Sequence, residues 1–179
     1  MKRVLLLGVT LLFVAVSAFA QGNAPREKGE PQHSTIAVTL NGLNCNTPAG
    51  TGAFPALSWS FGATNTSTVG NGKGVGAGKA TVAPLTIMKR ADSCSPALFG
   101  AVLSGKHFST LTLVQQDTAK DDVFTLTLSE VDVTAYQLGG DQSSEVPSEQ
   151  LSFTFGRICV SDTQSGTKFC WDTTTNRAF

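Results

Sequence analysis

Four cysteines are the residues of this chain with the most chemistry open to them. A cysteine thiolate can bind zinc, attack a substrate as a nucleophile, or pair with a second cysteine in a disulfide. Zinc is the weaker interpretation, because the chain has no CxxC spacing and neither histidine lies near a cysteine pair. An even number of cysteines behind a signal-peptide pattern, which residues 1–20 have, favours two disulfides, for which three connectivities exist. The cysteines are Cys45, Cys94, Cys159 and Cys170.

One of these pairings can be argued from the local sequence. The segments 158–161 and 167–171 flank a short polar turn. A type I turn over Thr163 to Gly166, with Gly166 in the left-handed conformation, would place Cys159 opposite Cys170. By elimination Cys45 would then join Cys94, although the spacing alone leaves the other connectivities open.

Other catalytic constellations are missing from the sequence. A hydrolase needs a positioned base or a pair of carboxylates. Of the two histidines, His33 lies in a polar segment and His107 lies just beyond a predicted helix, where a cap or surface role is the better interpretation. Asp121, Asp122 and Asp141 are isolated turn residues, and no GxSxG, HExxH or EF-hand spacing occurs. The sequence therefore predicts a protein that is not an enzyme and needs no cofactor or metal.

The glycine-rich stretch Ala63 to Gly78 invites a nucleotide-binding interpretation. A P-loop would need glycine at Lys73 and Ser or Thr at Ala80, so that motif fails. Gly72, Gly74 and Ala77 fit the spacing of a dinucleotide fingerprint, but no helix follows them. A long stretch without bulky side chains inside a compact domain is better interpreted as a projecting loop.

The first twenty residues have the pattern of a signal peptide. Lys2 and Arg3 precede an apolar run, 4–16, which is too short to span a membrane, and Ala18-Phe19-Ala20 is a cleavage site. We therefore expect a signal peptide at 1–20, a disordered segment at 21–34, one domain at 35–179, and export to the periplasm or the extracellular space. Cleavage would leave 11 basic and 13 acidic side chains, which gives no reason to expect nucleic acid or a membrane surface as a partner.

Apolar residues alternate along most of the predicted domain, as in half-buried strands. Ile36, Val38 and Leu40 share one face of a first strand, and Leu57, Trp59 and Phe61 are expected on the inner face of a second. Two later strands change the parity of this alternation, one at Ser129-Glu130 and one across Gly156, which predicts β-bulges and strands that curve into a barrel. A second polar loop is expected at 138–149.

One helix interrupts this pattern. Asp92 to Ser95 offers capping side chains, Pro96 suits a first helical turn, and Gly105 suits a left-handed end. Leu98 with Val102, and Phe99 with Leu103, are spaced to share a face. The predicted fold class is all-β: a small β-barrel of two antiparallel sheets with one short flanking α-helix.

Taken in order, several motifs resemble the Hcp family, the haemolysin-coregulated tube proteins of type VI secretion systems. The motifs are LSWSFG (57–62), GVGAGK (74–79), LTIMKRADSCSPALFGAVLSGKHF (85–108), VTAYQLGGDQ (133–142), LSFTFGRI (151–158) and FCWDTTTNRA (169–178). The resemblance implies self-assembly into hexameric rings that stack into a tube, with sheath, spike or cargo proteins as partners. It also implies that the glycine-rich loop reaches a neighbouring ring, with Gly72, Gly74, Gly76 and Gly78 as contact residues.

Two features differ from what is usual in that family. Its members usually begin near the first strand, whereas this chain carries an export signal and a polar lead-in. Cys94 stands where the family commonly has a polar residue. The motif series leads to the first hypothesis, a non-catalytic ring-forming protein. The two departures lead to the alternative, an exported Hcp-like scaffolding or binding module that is not part of a secretion machine.

Overall fold

The computed structural model describes residues 34–66, 78–119 and 121–179. The predicted signal peptide (1–20) lies outside these residues, as does all of the predicted disordered segment except Ser34. The helix of the described part is α1 (Ser95–Ser104). The strands are β1 (Thr35–Leu40), β2 (Asn46–Thr47), β3 (Gly50–Thr51), β4 (Ala53–Ala56), β5 (Ser58–Ser60), β6 (Ala63–Asn65), β7 (Ala80–Val82), β8 (Leu85–Arg90), β9 (His107–Gln116), β10 (Asp122–Gly139), β11 (Ser148–Asp162), β12 (Thr167–Asp172) and β13 (Arg177–Ala178).

The hydrogen-bonded path through the main sheet returns to its starting point. From β4 it runs through β1, β9, β10, β11 and β8 to β5, and every pair is antiparallel. Only Leu57 separates β4 from β5, so one bent segment pairs with β1 on one side and β8 on the other. The strands therefore close a barrel, and β12 and β13 extend the sheet outside it. The predicted all-β fold with one short helix is confirmed for the described residues.

The interior of the barrel is filled by alternate residues of these strands and by one face of α1. The first predicted strand is confirmed, since Val38 and Leu40 are fully buried and Ile36 packs against the same core. The largest buried apolar side chains are Phe54, Phe108, Phe153, Leu40, Leu85, Ile87, Leu98, Leu111, Leu113, Leu126 and Leu128.

The predicted change of buried face in β10 is present. Leu126 and Leu128 are buried before Glu130, and Val131 and Val133 are buried after it. Glu130 takes a left-handed backbone conformation, with φ of 56°, at the point where the buried face changes. A non-glycine residue in that region costs free energy that the surrounding pairing must offset.

The β-bulges predicted at Ser129-Glu130 and across Gly156 are both wrong, because β10 and β11 keep one register on both sides of Glu130 and Gly156. The reason is that the neighbouring strands change face at the same level. β11 does so at Gly156, opposite Glu130, and β9 does so between Phe108 and Leu111. The three strands stay in step, so no extra residue is inserted into either strand pair at this level. The register shifts of β10 lie at Asp122/Phe124 and Val133/Ala135.

β11 changes its pairing partner at this level. Residues 148–153 pair with β8, whereas residues 157–162 pair with β12. Gly156 lies between the two stretches, at the point where β11 leaves one ladder and enters the other. One long strand thus holds together the barrel and the β12–β13 extension.

Helix α1 ends at the predicted residue. Gly105 is left-handed, with φ of 62°, and the amide of Lys106 donates to the carbonyl of Ala101. Within the predicted capping segment, the N-cap residue Cys94 makes no side-chain capping bond. Instead the carboxylate of Asp92 accepts the Cys94 amide at 2.8 Å.

The bend at Leu57 overturns one prediction. Leu57 is 55% exposed rather than inward, because its backbone turns to donate its amide to the carbonyl of Met88. Trp59 and Phe61 do stack, with ring centroids 6.1 Å apart. A change of direction inside a strand reverses the alternation that follows it.

Two segments predicted as loops contain strand. Residues 63–65 form β6 and pair with β7, so the glycine-rich stretch begins on a two-stranded ladder. The predicted loop at 138–149 is shorter, since β10 reaches Gly139 and β11 begins at Ser148. At the C-terminal end of the chain, β13 folds back against β12.

Candidate functional site

The structure joins Cys45 to Cys94 and Cys159 to Cys170. The first disulfide links the loop after β1 to the entrance of α1, and both of its cysteines are buried. The second links directly opposed residues of β11 and β12, and Gly166 of the intervening turn is left-handed as predicted. Among the described residues no cysteine is free to act as a nucleophile or a zinc ligand.

Of the four glycines expected to contact a neighbouring ring, Gly72, Gly74 and Gly76 lie outside the described residues. Gly78 lies where the chain returns towards β7. A Cβ added to Gly78 would fall 1.8 Å from the carbonyl oxygen of Thr66, so the two backbones approach too closely for any other residue.

A buried ion pair lies beneath the entrance of α1. The Lys89 Nζ is 2.8 Å from Oε2 of Glu149, and both side chains are fully buried. The same Nζ lies 2.9 Å from Oδ1 of Asp92 and 3.3 Å from Oγ of Ser95. The cluster therefore connects β8, β11 and the start of the helix, and the two carboxylates outnumber the one ammonium.

Tyr136 of β10 completes this cluster. Its hydroxyl donates to Oε1 of Glu149 at 2.7 Å. Burial, followed by the hydrogen bond to Glu149, raises the pKa of Tyr136 to about 12, and the charge of Asp92 acts in the same direction. The ring of Tyr136 packs against Phe99 of α1, with centroids 5.3 Å apart.

A groove of about 570 Å³ opens above this cluster, between α1 and the connection of β10 to β11. Two of its apolar side chains are unusually open to solvent, Phe99 at 49% and Leu138 at 58%. Leu103, one turn after Phe99 on the outer face of the helix, is 71% exposed. We call this the helix groove; its lining residues are Ala91, Ser95, Pro96, Phe99, Tyr136, Leu138, Pro147 and Glu149.

A second apolar concavity of about 260 Å³ lies at the base of the glycine-rich stretch. The alternate residues of β11 and β12 line it, so the Cys159–Cys170 disulfide lies on the opposite face of that ladder. Phe169 is 58% exposed at its edge. We call this the arm-base pocket; its lining residues are Phe61, Ala63, Ala80, Val82, Ile158, Val160, Phe169 and Trp171.

His107 begins β9 and does not cap the helix. Its Nδ1 lies 3.1 Å from Oδ1 of Asp132 and its Nε2 lies 3.0 Å from Oε2 of Glu130. Only a doubly protonated imidazole can donate to both carboxylates. The hydrogen bonds to Asp132 and then Glu130 raise the pKa of His107 above its ordinary value of 6.5.

No group of three or more potential ligand side chains among the described residues is placed to hold a metal ion. Within the same residues, no helix is both long and apolar enough to cross a membrane.

The sequence reasoning missed the Lys89–Glu149 pair. A signal was present, because Lys89 shares the parity of the buried residues Leu85 and Ile87, and Glu149 shares that of Leu151. Alternation therefore placed both charges on the inner face. What the sequence did not reveal is that β8 and β11 pair, which brings the two charges together across 60 positions.

Comparisons with known proteins agree with this fold. Residues 41–161 match the family described as "Type VI secretion system effector, Hcp". No curated protein is significantly similar to the chain in sequence. A solved structure described as a type six secretion system protein is 22% identical, with a TM-score of 0.72 over 82% of this chain and 100% of its own.

Two further solved structures are similar. Hcp1 from Salmonella typhimurium is 21% identical, with a TM-score of 0.70 over 82% of this chain and 99% of its own. A type VI secretion system effector from Yersinia pestis is 19% identical, with a TM-score of 0.63 over 76% of this chain and 98% of its own. These likenesses show the fold. Because the family match covers more than half of the sequence, the chain belongs to the Hcp family of type VI secretion system proteins.

Proposed function

We propose that the mature chain is a non-catalytic structural protein that assembles into hexameric rings resembling the tube of a type VI secretion system. The observation that carries this proposal is the family match over residues 41–161, which runs from the end of β1 through most of β11. Sheath, spike or cargo proteins would be its partners.

The surface of the barrel supports an assembly role. Contiguous exposed apolar surface on a small soluble protein commonly marks an interaction site. Here Phe169 remains 58% exposed at the edge of the apolar arm-base pocket. The closed barrel itself offers few free strand edges, so contacts between copies would be made by side chains and by the glycine-rich loop.

Under this proposal the glycine-rich loop contacts a neighbouring ring. The close approach of Gly78 to Thr66 supports a role for glycine at the base of the loop. Gly72, Gly74 and Gly76 would allow similar close approaches to the neighbouring copy.

Sedimentation velocity of the mature, oxidised protein over a hundredfold concentration range tests ring formation. We expect a species of six chains, with a ring visible by negative-stain electron microscopy. A non-reducing gel would serve as the control that no intermolecular disulfide produces the species. A monomer at every concentration would refute the proposal.

A second candidate is an exported Hcp-like scaffolding or binding module that works outside a secretion machine, in the periplasm or the extracellular space. The two disulfides favour it, because disulfides persist in oxidising compartments. The export pattern at 1–20 agrees with that compartment. Intact-mass spectrometry of the native protein tests it: a chain starting at Gln21 with no free thiol supports export, whereas an uncleaved Met1 with four free thiols excludes it.

A further inference from the structure

We propose that the helix groove binds a segment of another protein that presents a bulky apolar side chain beside an arginine or lysine. This goes beyond ring formation, because it assigns a partner chemistry to a surface of the single chain. The inference rests on three observations: an unpartnered apolar wall, an excess of negative charge beneath it, and an acidic connection along its rim.

The apolar wall is formed by α1 and by the strand ends that face it. Pro96, Phe99 and Leu103 recur at the spacing of one helix face, and this face points away from the core. Leu98 and Ala101 already fill the inner face of the same helix. A helix that is apolar on both faces is usually covered on both. Phe99 and Leu138 would therefore hold an apolar side chain of the partner.

The charge beneath the groove is not balanced. Lys89 is the one cation of the buried cluster, and it faces the carboxylates of Asp92 and Glu149. The buried Oδ2 of Asp92 has no hydrogen-bond partner among the described residues. The two carboxylates and one ammonium leave a net negative charge. The start of α1 carries a partial positive charge of about half of one elementary charge, which offsets only part of it.

The rim adds to the negative potential. Leu138 and Pro147 both line the groove, and the connection between them carries Asp141 and Glu145. Arg90 is the cation nearest in sequence, but it alternates with the buried Lys89 and is exposed on the outer face of β8. Complementary charge near an apolar anchor raises both association rate and specificity.

Fluorescence anisotropy with a labelled peptide tests the proposal. The probe is fluorescein-labelled Gly-Phe-Arg-Leu-Lys-Gly-amide, and the matched control replaces arginine by citrulline and lysine by acetyl-lysine. We expect a dissociation constant of about 0.1 to 1 mM for the charged probe and at least about fivefold weaker binding for the neutral one. Equal binding of both peptides, or none of the charged probe at about 2 mM, would overturn the proposal.

Variants locate the site. Phe99→Ser should weaken binding of the charged probe by about tenfold. Phe169 is a similarly exposed phenylalanine in the arm-base pocket, so Phe169→Ser should leave binding of that probe unchanged. Asp92→Asn keeps an acceptor for the Cys94 amide and removes one negative charge. It should therefore weaken binding of the charged probe and leave binding of the neutral probe unchanged. Circular dichroism confirms that each variant is folded. Equal losses in Phe99→Ser and Phe169→Ser would count against the helix groove.

Oligomeric state separates this inference from the proposed function. If Phe99→Ser abolishes rings and the charged probe does not bind the wild-type protein, the groove is covered by another copy and the inference fails. If the protein never forms rings yet binds the charged probe through Phe99, the inference stands and the proposed function fails. Sedimentation velocity on the anisotropy samples distinguishes the two.

Discussion

Gly156 of β11 lies opposite Glu130 of β10, and a Cβ at position 156 would come within 3.1 Å of the Glu130 Cβ. This contact occurs where three strands change the face that they bury. Glycine at one side of the ladder and a left-handed backbone at the other let both strands make the change without losing register. A substitution at Gly156 that adds only a methyl group therefore tests how tightly β10 and β11 pack at this level.

Gly156→Ala should destabilise the protein by about 1 to 3 kcal/mol, because the added methyl group forces the two strands apart. Equilibrium urea unfolding of the mature, oxidised protein measures the change. Gly100→Ala is the control, since nothing lies within 4 Å of its added Cβ and alanine favours the helix by about 0.5 to 1 kcal/mol. An unchanged unfolding midpoint for Gly156→Ala would contradict the tight contact.

Lys89→Met should cost about 3 to 5 kcal/mol of unfolding free energy, because it leaves the carboxylate of Glu149 buried without its cation. The double variant Lys89→Met/Glu149→Leu should lose less than the sum of the two single changes. Urea unfolding of all four proteins completes the cycle. Additive losses would mean that the two side chains do not interact.

Removal of the Cys45–Cys94 disulfide should cost more than removal of Cys159–Cys170. The first closes a loop of 49 residues and the second a loop of 11, so the chain-entropy difference is about 1 kcal/mol. Cys→Ala pairs at both sites, compared by thermal and urea unfolding, measure the difference. A larger loss from the shorter loop would show that native contacts, rather than loop length, decide the stabilisation.

His107 should make stability depend on pH. Its folded pKa is raised by Asp132 and Glu130, so its contribution is complete below pH 6.5 and is lost as the pH rises through the raised value. The melting temperature of the wild-type protein should therefore fall relative to His107→Gln between about pH 6 and pH 8. Histidine resonances followed by NMR give the pKa directly, and a value below 6.5 would contradict the paired geometry.

Local features of the fold were predictable because local chemistry decides them. Gly105 ends α1 since glycine accepts a left-handed backbone, and Gly166 does the same in the turn that sets Cys159 against Cys170. The alternation of Val38 and Leu40 placed the first strand correctly. Each of these follows from residues a few positions apart.

Features that depend on distant pairing were not predictable. The parity change at Glu130 was visible, but whether it shifted the register of the ladder depended on Gly156 in another strand. Leu57 was predicted inward because the bend before β5 has no glycine or proline at that position to announce it. The helix groove was missed since Phe99 and Leu138 come together only when α1 packs on β10.

The closure of the strand path through Leu57 also sets an order on folding. β1 pairs with β9 across 81 positions, with Thr35 against Gln116, and the bent β4–β5 segment closes the barrel only when β1 and β8 are both in place. Contacts so distant in sequence form slowly. Oxidation should therefore yield Cys159–Cys170 first and Cys45–Cys94 last, and the singly bridged intermediate, with its strand edges still open, is the form most exposed to aggregation.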